Sequence, residues 1–311
     1  MLVVKPETST RVSLNNVLFA TDFSSVAQSA LAYALAICRH YGSTLHAAHA
    51  IPEVNILVKA ETVAPDMLDS GYETIRRDAM ERMMFLSPAL KGIVHRIHIR
   101  RGYVWDVLSE IITKEHIDLI VLGTHGRTGL GKLLRGSVAE EILRQASAPV
   151  LTIGPRASGG LKQELEPDGK DVAPEEIEFR EIIFATDFSS ESVAAVKFAI
   201  SLAEEFQARL GLLHVIEAHD RDQPSSAEWA LERLEKLVPE DAALWCKPAI
   251  VIKFGSPAES ILKAAAERNA DLIVLGVPPT AHLGIETHLT GGTTHKVVAH
   301  AFCPVLTVRQ Q

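Results

Sequence analysis

The sequence predicts an α/β protein in which one domain is built twice, each copy a parallel sheet covered by helices. Two observations carry this reading. The chain repeats itself: FATDFSS stands at 19–25 and again at 184–190, an offset of 165, while DLIVLG stands at 118–123 and 271–276, an offset of 153. His49 and His214 keep the first offset, Gly102 and Gly255 keep the second, and APVLTI (148–153) and CPVLTV (303–308) close the two copies. Identical peptides in the same order mark a duplication, with 12 residues lost from the second copy between its second strand and Gly255. Within each copy, short continuous apolar runs alternate with stretches of helical period. That alternation is the signature of parallel strands joined by right-handed crossovers and buried on both faces.

The elements of the first copy follow in order. Asn16–Ala20 (NVLFA) is β-branched and aromatic, as a buried strand requires. Ser25, with Gln28 three residues on, reads as a capping box opening a helix. Val26, Ala30, Ala34, Ile37 and Tyr41 then recur at helical spacing until Gly42 ends it. Ser43–Ile51 is a second strand, Asp66–Leu86 a charged amphipathic helix and His95–Arg100 a third strand. Val104–His116 is a helix with Val107, Leu108, Ile111 and Ile112 on one side. Leu119–Leu122 is the fourth strand, Val138–Ala146 a helix and Val150–Ile153 the fifth strand. Domain one therefore spans 1–154 and domain two 177–311. The segment 155–176 between them, rich in Pro, Gly and acid without apolar period, reads as a solvated linker.

Composition narrows the function. A chain of 311 residues with 47% hydrophobic and 23% charged residues can bury a core in each of two domains, which excludes disorder. A formal charge of −8 argues against a nucleic-acid binder. No apolar run reaches the ~18 residues that span a bilayer, and the N-terminus has no signal pattern. Cys38, Cys246 and Cys303 are odd in number and widely spaced, so they form no disulfide framework. A cytoplasmic protein is expected.

Ligands of such sheets bind beyond the carboxyl ends of the strands, where the winding reverses. Two features stand there. Ala20-Thr21-Asp22 leaves the first strand, and GTHGRTGLGKLLRGS leaves the fourth, with glycines spaced Gly123-x2-Gly126-x9-Gly136-Ser137. Glycines in such a loop permit positive φ and let backbone N–H groups approach an anion. A helix opening at Gly136-Ser137 adds unpaired donors and a positive dipole end, and Arg127, Lys132 and Arg135 add three positive charges. Together these describe a polyphosphate cradle. Ser137 and Glu140 also fit a plain capping box, and Gly123 a plain strand-end turn. The run Gly126–Leu133 is not a P-loop, because Leu133 stands where a hydroxyl would hold Mg²⁺.

The other polar residues give less. His46 and His49 lie three apart on a strand and point to opposite faces, so they should not share a metal. His282, His288, His295 and His300 match no zinc spacing and read as loop and surface residues. His125 is the one candidate near the glycines that could activate water, and no carboxylate neighbours it in sequence to orient it as a base. No catalytic residue and no metal ligand is assigned, and little or no steady hydrolysis of a bound nucleotide is expected.

FATDFS, DLIVLGTHGRTGL, the Gly-x2-Gly-x9-Gly-Ser spacing and the terminal APVLTI resemble the universal stress protein family, over nearly the whole chain outside the linker. The resemblance implies two tandem Rossmann-like five-stranded sheets of order 3-2-1-4-5, related as a pseudo-twofold pair through their last strands. It implies ATP, with or without Mg²⁺, bound between strands one and four of the first copy. Carried over by position, Ala20, Thr21 and Asp22 would meet the adenosine part, and Ala50 and Leu122 would line the base pocket. Gly123, Gly126, Gly136 and Ser137 would hold ribose and phosphates, with Thr124, His125 and Arg127 in the loop between and Val138 beside them.

The second copy departs from this pattern. Asp187 and Gly276 remain, but Pro279 replaces the glycine matching Gly126 and has no N–H to offer. No Lys or Arg lies between Val277 and Thr290, and Glu286 is there instead. The expected function is an ATP-binding stress-response regulator in which the nucleotide is a ligand. The alternatives are a slow ATP hydrolase or nucleotidyl transferase and a nucleotide-independent interaction scaffold. Adenine nucleotide is the expected partner, without nucleic acid or membrane. A homodimer and an unidentified protein partner are left open.

Overall fold

In a computed structural model the described residues are 11–52, 65–86, 88–124, 138–161, 176–217, 226–238, 248–277 and 292–309. The first copy runs β1 (Asn16–Ala20), α1 (Ser25–Tyr41), β2 (Thr44–Ile51), α2 (Pro65–Met84), β3 (His95–Arg101), α3 (Val104–Lys114), β4 (Leu119–Gly123), α4 (Val138–Gln145) and β5 (Val150–Ile153). The second runs β6 (Glu181–Ala185), α5 (Ser190–Phe206), β7 (Arg209–Ile216), α6 (Ser226–Lys236), β8 (Ala249–Phe254), α7 (Pro257–Arg268), β9 (Leu272–Val277), α8 (Thr293–His300) and β10 (Val305–Arg309).

All ten strands among the described residues join one sheet, in the order β3-β2-β1-β4-β5-β10-β9-β6-β7-β8. Each copy therefore has the order 3-2-1-4-5, as expected. Every pairing inside a copy is parallel, and β5 with β10 is antiparallel, with Leu306 opposite Leu151. Alternate residues of each strand feed two cores, one on each face. Val17 and Phe19 pack with α1, and Leu18 with α3 and α4. Both cores run unbroken across the β5–β10 seam, where Leu151 and Leu306 are buried together. Fully burying one such side chain contributes about 1.5–3 kcal/mol, so the paired leucines stabilise the seam as core residues do. Thr152 Oγ1 donates to Val305 O at 3.0 Å and Thr307 Oγ1 to Val150 O at 3.2 Å, leaving no buried hydroxyl there unsatisfied.

Two local readings are corrected. Helix α1 is capped by Ser24, not Ser25: Ser24 is extended (φ −73, ψ 165) and its side chain accepts from Ala27 N, so Ser25 and Gln28 form no capping box. The start of the 155–176 segment is not a solvated tether. Tyr33 OH donates to Gly159 O at 2.7 Å, Leu161 bridges Ile177, and Arg156 lies over the Phe302 ring at 4.6 Å. Gly160 sits at φ +70, and a Cβ there would fall 2.6 Å from the Phe179 ring. The glycines that read as flexible are present for close approach.

Candidate functional site

Strand order reverses between β1 and β4, so the carboxyl ends of these strands open the crevice that ligands of such sheets use. The loop leaving β1 is held by a closed set of short contacts. Thr21 N donates to Ala48 O at 3.0 Å, anchoring the loop to β2. Thr21 Oγ1 accepts from Phe23 N at 3.0 Å, and Asp22 Oδ1 accepts from Ser24 N at 3.0 Å. These turns force Phe23 into the left-handed region, φ 62. A bulky residue tolerates that only where its surroundings over-determine it, a pattern that clusters at functional sites.

His49 supplies that restraint. Its Nδ1–H donates to Thr21 O at 2.8 Å, and its ring lies against Phe23 with centroids 4.6 Å apart. The second copy repeats the arrangement. His214 Nδ1 donates to Thr186 O at 2.8 Å, Phe188 has φ 63, and the two rings are 4.5 Å apart. The sequence reading missed this role for histidine. Its signal was the constant offset from FATDFSS to His49 and to His214.

Among the described site residues, Ala20, Ala50 and Leu122 meet on the α3/α4 face, with Ala20 in register with Leu122. Their apolar side chains, two alanines and a leucine, make a shelf at the strand ends. Asp22 is half-buried beside it. Gly123 is not a positive-φ turn. A Cβ on it would stand 3.0 Å from Val26 C and Ala27 N, so the missing side chain lets the first turn of α1 lie against the end of β4. Thr124 is buried, with its N–H on Ile153 O at 3.0 Å. Val138 is exposed at the start of α4. His125, Gly126, Arg127, Gly136 and Ser137 lie outside the described residues, as do Lys132 and Arg135. In the second copy Pro279 and Glu286 also lie outside them.

Asp187 matches Asp22. Its burial opposes ionisation, but the Ser189 hydroxyl and backbone N–H, with Ser192, outweigh that and hold its carboxyl below the usual range. His295 was read as a surface residue; it is only 6% exposed, on the inner side of α8. As expected, His46 and His49 diverge: His46 turns to His98, and His49 to Thr21. Among the described residues no helix is long and apolar enough to cross a membrane.

Comparison with known proteins agrees with this architecture. Residues 14–154 and 178–309 each match the universal stress protein family. A universal stress protein of Thermus aquaticus is 37% identical over 139 residues, covering 42% of this chain and 99% of that protein. One from Synechocystis sp. is 23% identical over 322 residues, covering 95% of this chain and 100% of that protein. Among solved structures, a universal stress protein from Archaeoglobus fulgidus has the same fold, with a TM-score of 0.70 at 21% identity, covering 96% of this chain and 99% of that one. Two family matches in succession, on two copies of one sheet topology, place this chain in the universal stress protein family as a tandem, two-domain member.

Proposed function

We propose that the first copy binds an adenine nucleotide, ATP foremost, as a regulatory ligand in a cytoplasmic stress-response protein, and that the second copy acts as its scaffold. The observation that carries this is the β1 loop. His49 and the Thr21 and Asp22 turns hold Asp22 in a fixed place at the winding switch, beside the Ala20–Ala50–Leu122 shelf. A shelf of apolar side chains suits a flat base, and a fixed carboxylate suits a ribose or amine donor. The glycine and cation pattern from Gly126 to Ser137 suits the phosphates. No residue in a role that would activate water is assigned, so the ligand is held rather than consumed, with or without Mg²⁺.

Calorimetry of the full chain with ATP tests this. One site per chain is expected, weakened by Asp22→Ala and left nearly unchanged by Asp187→Ala. Gly126→Asp should abolish binding, because unit charges ~4 Å apart interact by about 4 kcal/mol at an effective dielectric of ~20, here with repulsive sign. Two equal sites, or a Gly126→Asp protein that binds normally, would overturn the reading. Single-turnover assays in Mg²⁺ decide between ligand and substrate.

A further inference from the structure

We propose that His46, His98 and Glu115 of the first copy form a binding site for one divalent transition-metal cation of the zinc class, at the end of the sheet away from the β1 loop. His46 stands near the amino end of β2, His98 on neighbouring β3, and Glu115 directly after α3, which runs back to that end. All three face the α3 side of the sheet. One ligand atom from each lies within 4.8 Å of the other two. His46 Nδ1 and His98 Nε2 are 3.2 Å apart, and Glu115 Oε2 is 4.0 Å from His46 Nδ1. Zn–N bonds of about 2.0–2.1 Å in tetrahedral geometry set ligand atoms about 3.3 Å apart, so the two imidazoles already stand at ligand spacing. The carboxylate oxygen, 4.0 Å from His46 Nδ1 and within 4.8 Å of the His98 ligand atom, must approach by about 0.7–1.5 Å.

The surroundings are those of a ligand set. His46 Nε2–H donates to Asn16 Oδ1 at 3.3 Å, so Nδ1 carries a lone pair, which accepts from His98 Nε2–H at 3.2 Å until a metal takes the place of that proton between the two nitrogens. A metal-binding histidine commonly donates its other N–H to such an oxygen. Arg96 Nη1 donates to Glu115 Oε2 at 2.5 Å and competes with a metal for that oxygen; with its side chain 62% exposed, it can swing out to solvent and release it. Arg100 is engaged by Glu110 at 2.8 Å. Two imidazoles and one carboxylate leave a fourth position for water, the donor set that suits zinc, cobalt or nickel rather than magnesium or calcium.

The second copy shows that the fold does not need these residues. At the same offsets Glu181 stands for Asn16, Gly211 for His46, Val251 for His98 and Arg268 for Glu115. There Glu181, 2% exposed, is paired with Arg268 and with Arg209, the latter at 2.7 Å. A Cβ on Gly211 would lie 3.3 Å from Arg268 Nε, so the arginine takes the space that His46 takes in the first copy. One copy closes the position with an internal ion pair, whereas the other lines it with three metal-ligand side chains.

The test is Co²⁺ titration of the full chain, stripped with a chelator and followed by the visible absorption of four-coordinate cobalt. One equivalent is expected, displaced by Zn²⁺. His98→Ala and Glu115→Gln, both at partly exposed positions, should each weaken binding at least tenfold with circular dichroism unchanged. Arg96→Ala should tighten it by freeing the carboxylate. Absence of a saturable four-coordinate band, or retention of full affinity in both ligand variants, would overturn the proposal. So would a weaker site in Arg96→Ala.

Discussion

The glycine of DLIVLG closes β4 in one copy and β9 in the other, and substituting it measures how tightly the next helix is drawn in. In Gly276→Ala, the new Cβ would fall 2.3 Å from Ser192 Cα, 2.5 Å from Ser192 N and 2.6 Å from Glu191 O. These are all backbone atoms, so none can rotate away, and the start of α5 must move by about 1 Å to restore ordinary contact at 3.4 Å. In Gly123→Ala, the same atom meets Val26 C and Ala27 N at 3.0 Å, a misfit of only a few tenths of an ångström. Overpacking costs about 1–3 kcal/mol, and alanine returns about 0.4–1 kcal/mol by restricting the unfolded chain. Gly123→Ala should therefore lose about 1 kcal/mol or less, and Gly276→Ala about 2 kcal/mol or more. Urea unfolding followed by circular dichroism gives both values under one protocol. A Gly276→Ala protein as stable as wild type, or more stable than Gly123→Ala, would refute the argument.

Asp187 has a depressed folded pKa, so its contribution to stability is full above the unfolded carboxylate value of about 3.9 and is lost as pH falls toward the folded value. Asp187→Asn should be less stable than wild type near neutrality, with the gap closing in acid; a gap independent of pH, measured by urea midpoints, would contradict this. Burial pushes the thiols of Cys38 and Cys303 up to about 12. In native protein at mildly alkaline pH both should resist a disulfide reagent and react on unfolding, and rapid native labelling at either position by peptide mass would count against the burial.

Strand positions were legible because a parallel strand buried on both faces must be apolar throughout, as NVLFA and DLIVLG are. The start of α1 was misplaced by one residue because Ser24 and Ser25 both carry capping hydroxyls. Only the backbone shows that Ser24 is the extended one. Gly159-Gly160 read as flexible because sequence does not say what stands opposite a glycine; here it is Asp271 and the Phe179 ring. The β1 loop was located by motif, but its restraint by His49 depends on a carbonyl one strand away. His46, His98 and Glu115 come from three elements with no local spacing, so no motif joins them; the register of β2 on β3 brings the two histidines together, and the return of α3 brings Glu115 to them.

The antiparallel joint between β5 and β10 is an arrangement that a homodimer could make from two separate chains. A two-fold interface between identical subunits presents the same patch twice, so any substitution at it, or anywhere else, appears in both halves. Fusing the halves makes the encounter intramolecular, at an effective concentration of the order of millimolar for a short connection, and association no longer depends on how much protein is present. It also ends the obligation to change in pairs. Pro279 and Glu286 can enter the segment after β9 while Gly126 and Arg127 stay in the one after β4. An ion pair can settle where the sister copy has histidines. The shared sheet thus permits asymmetry: one half is free to specialise because the other half maintains the joint.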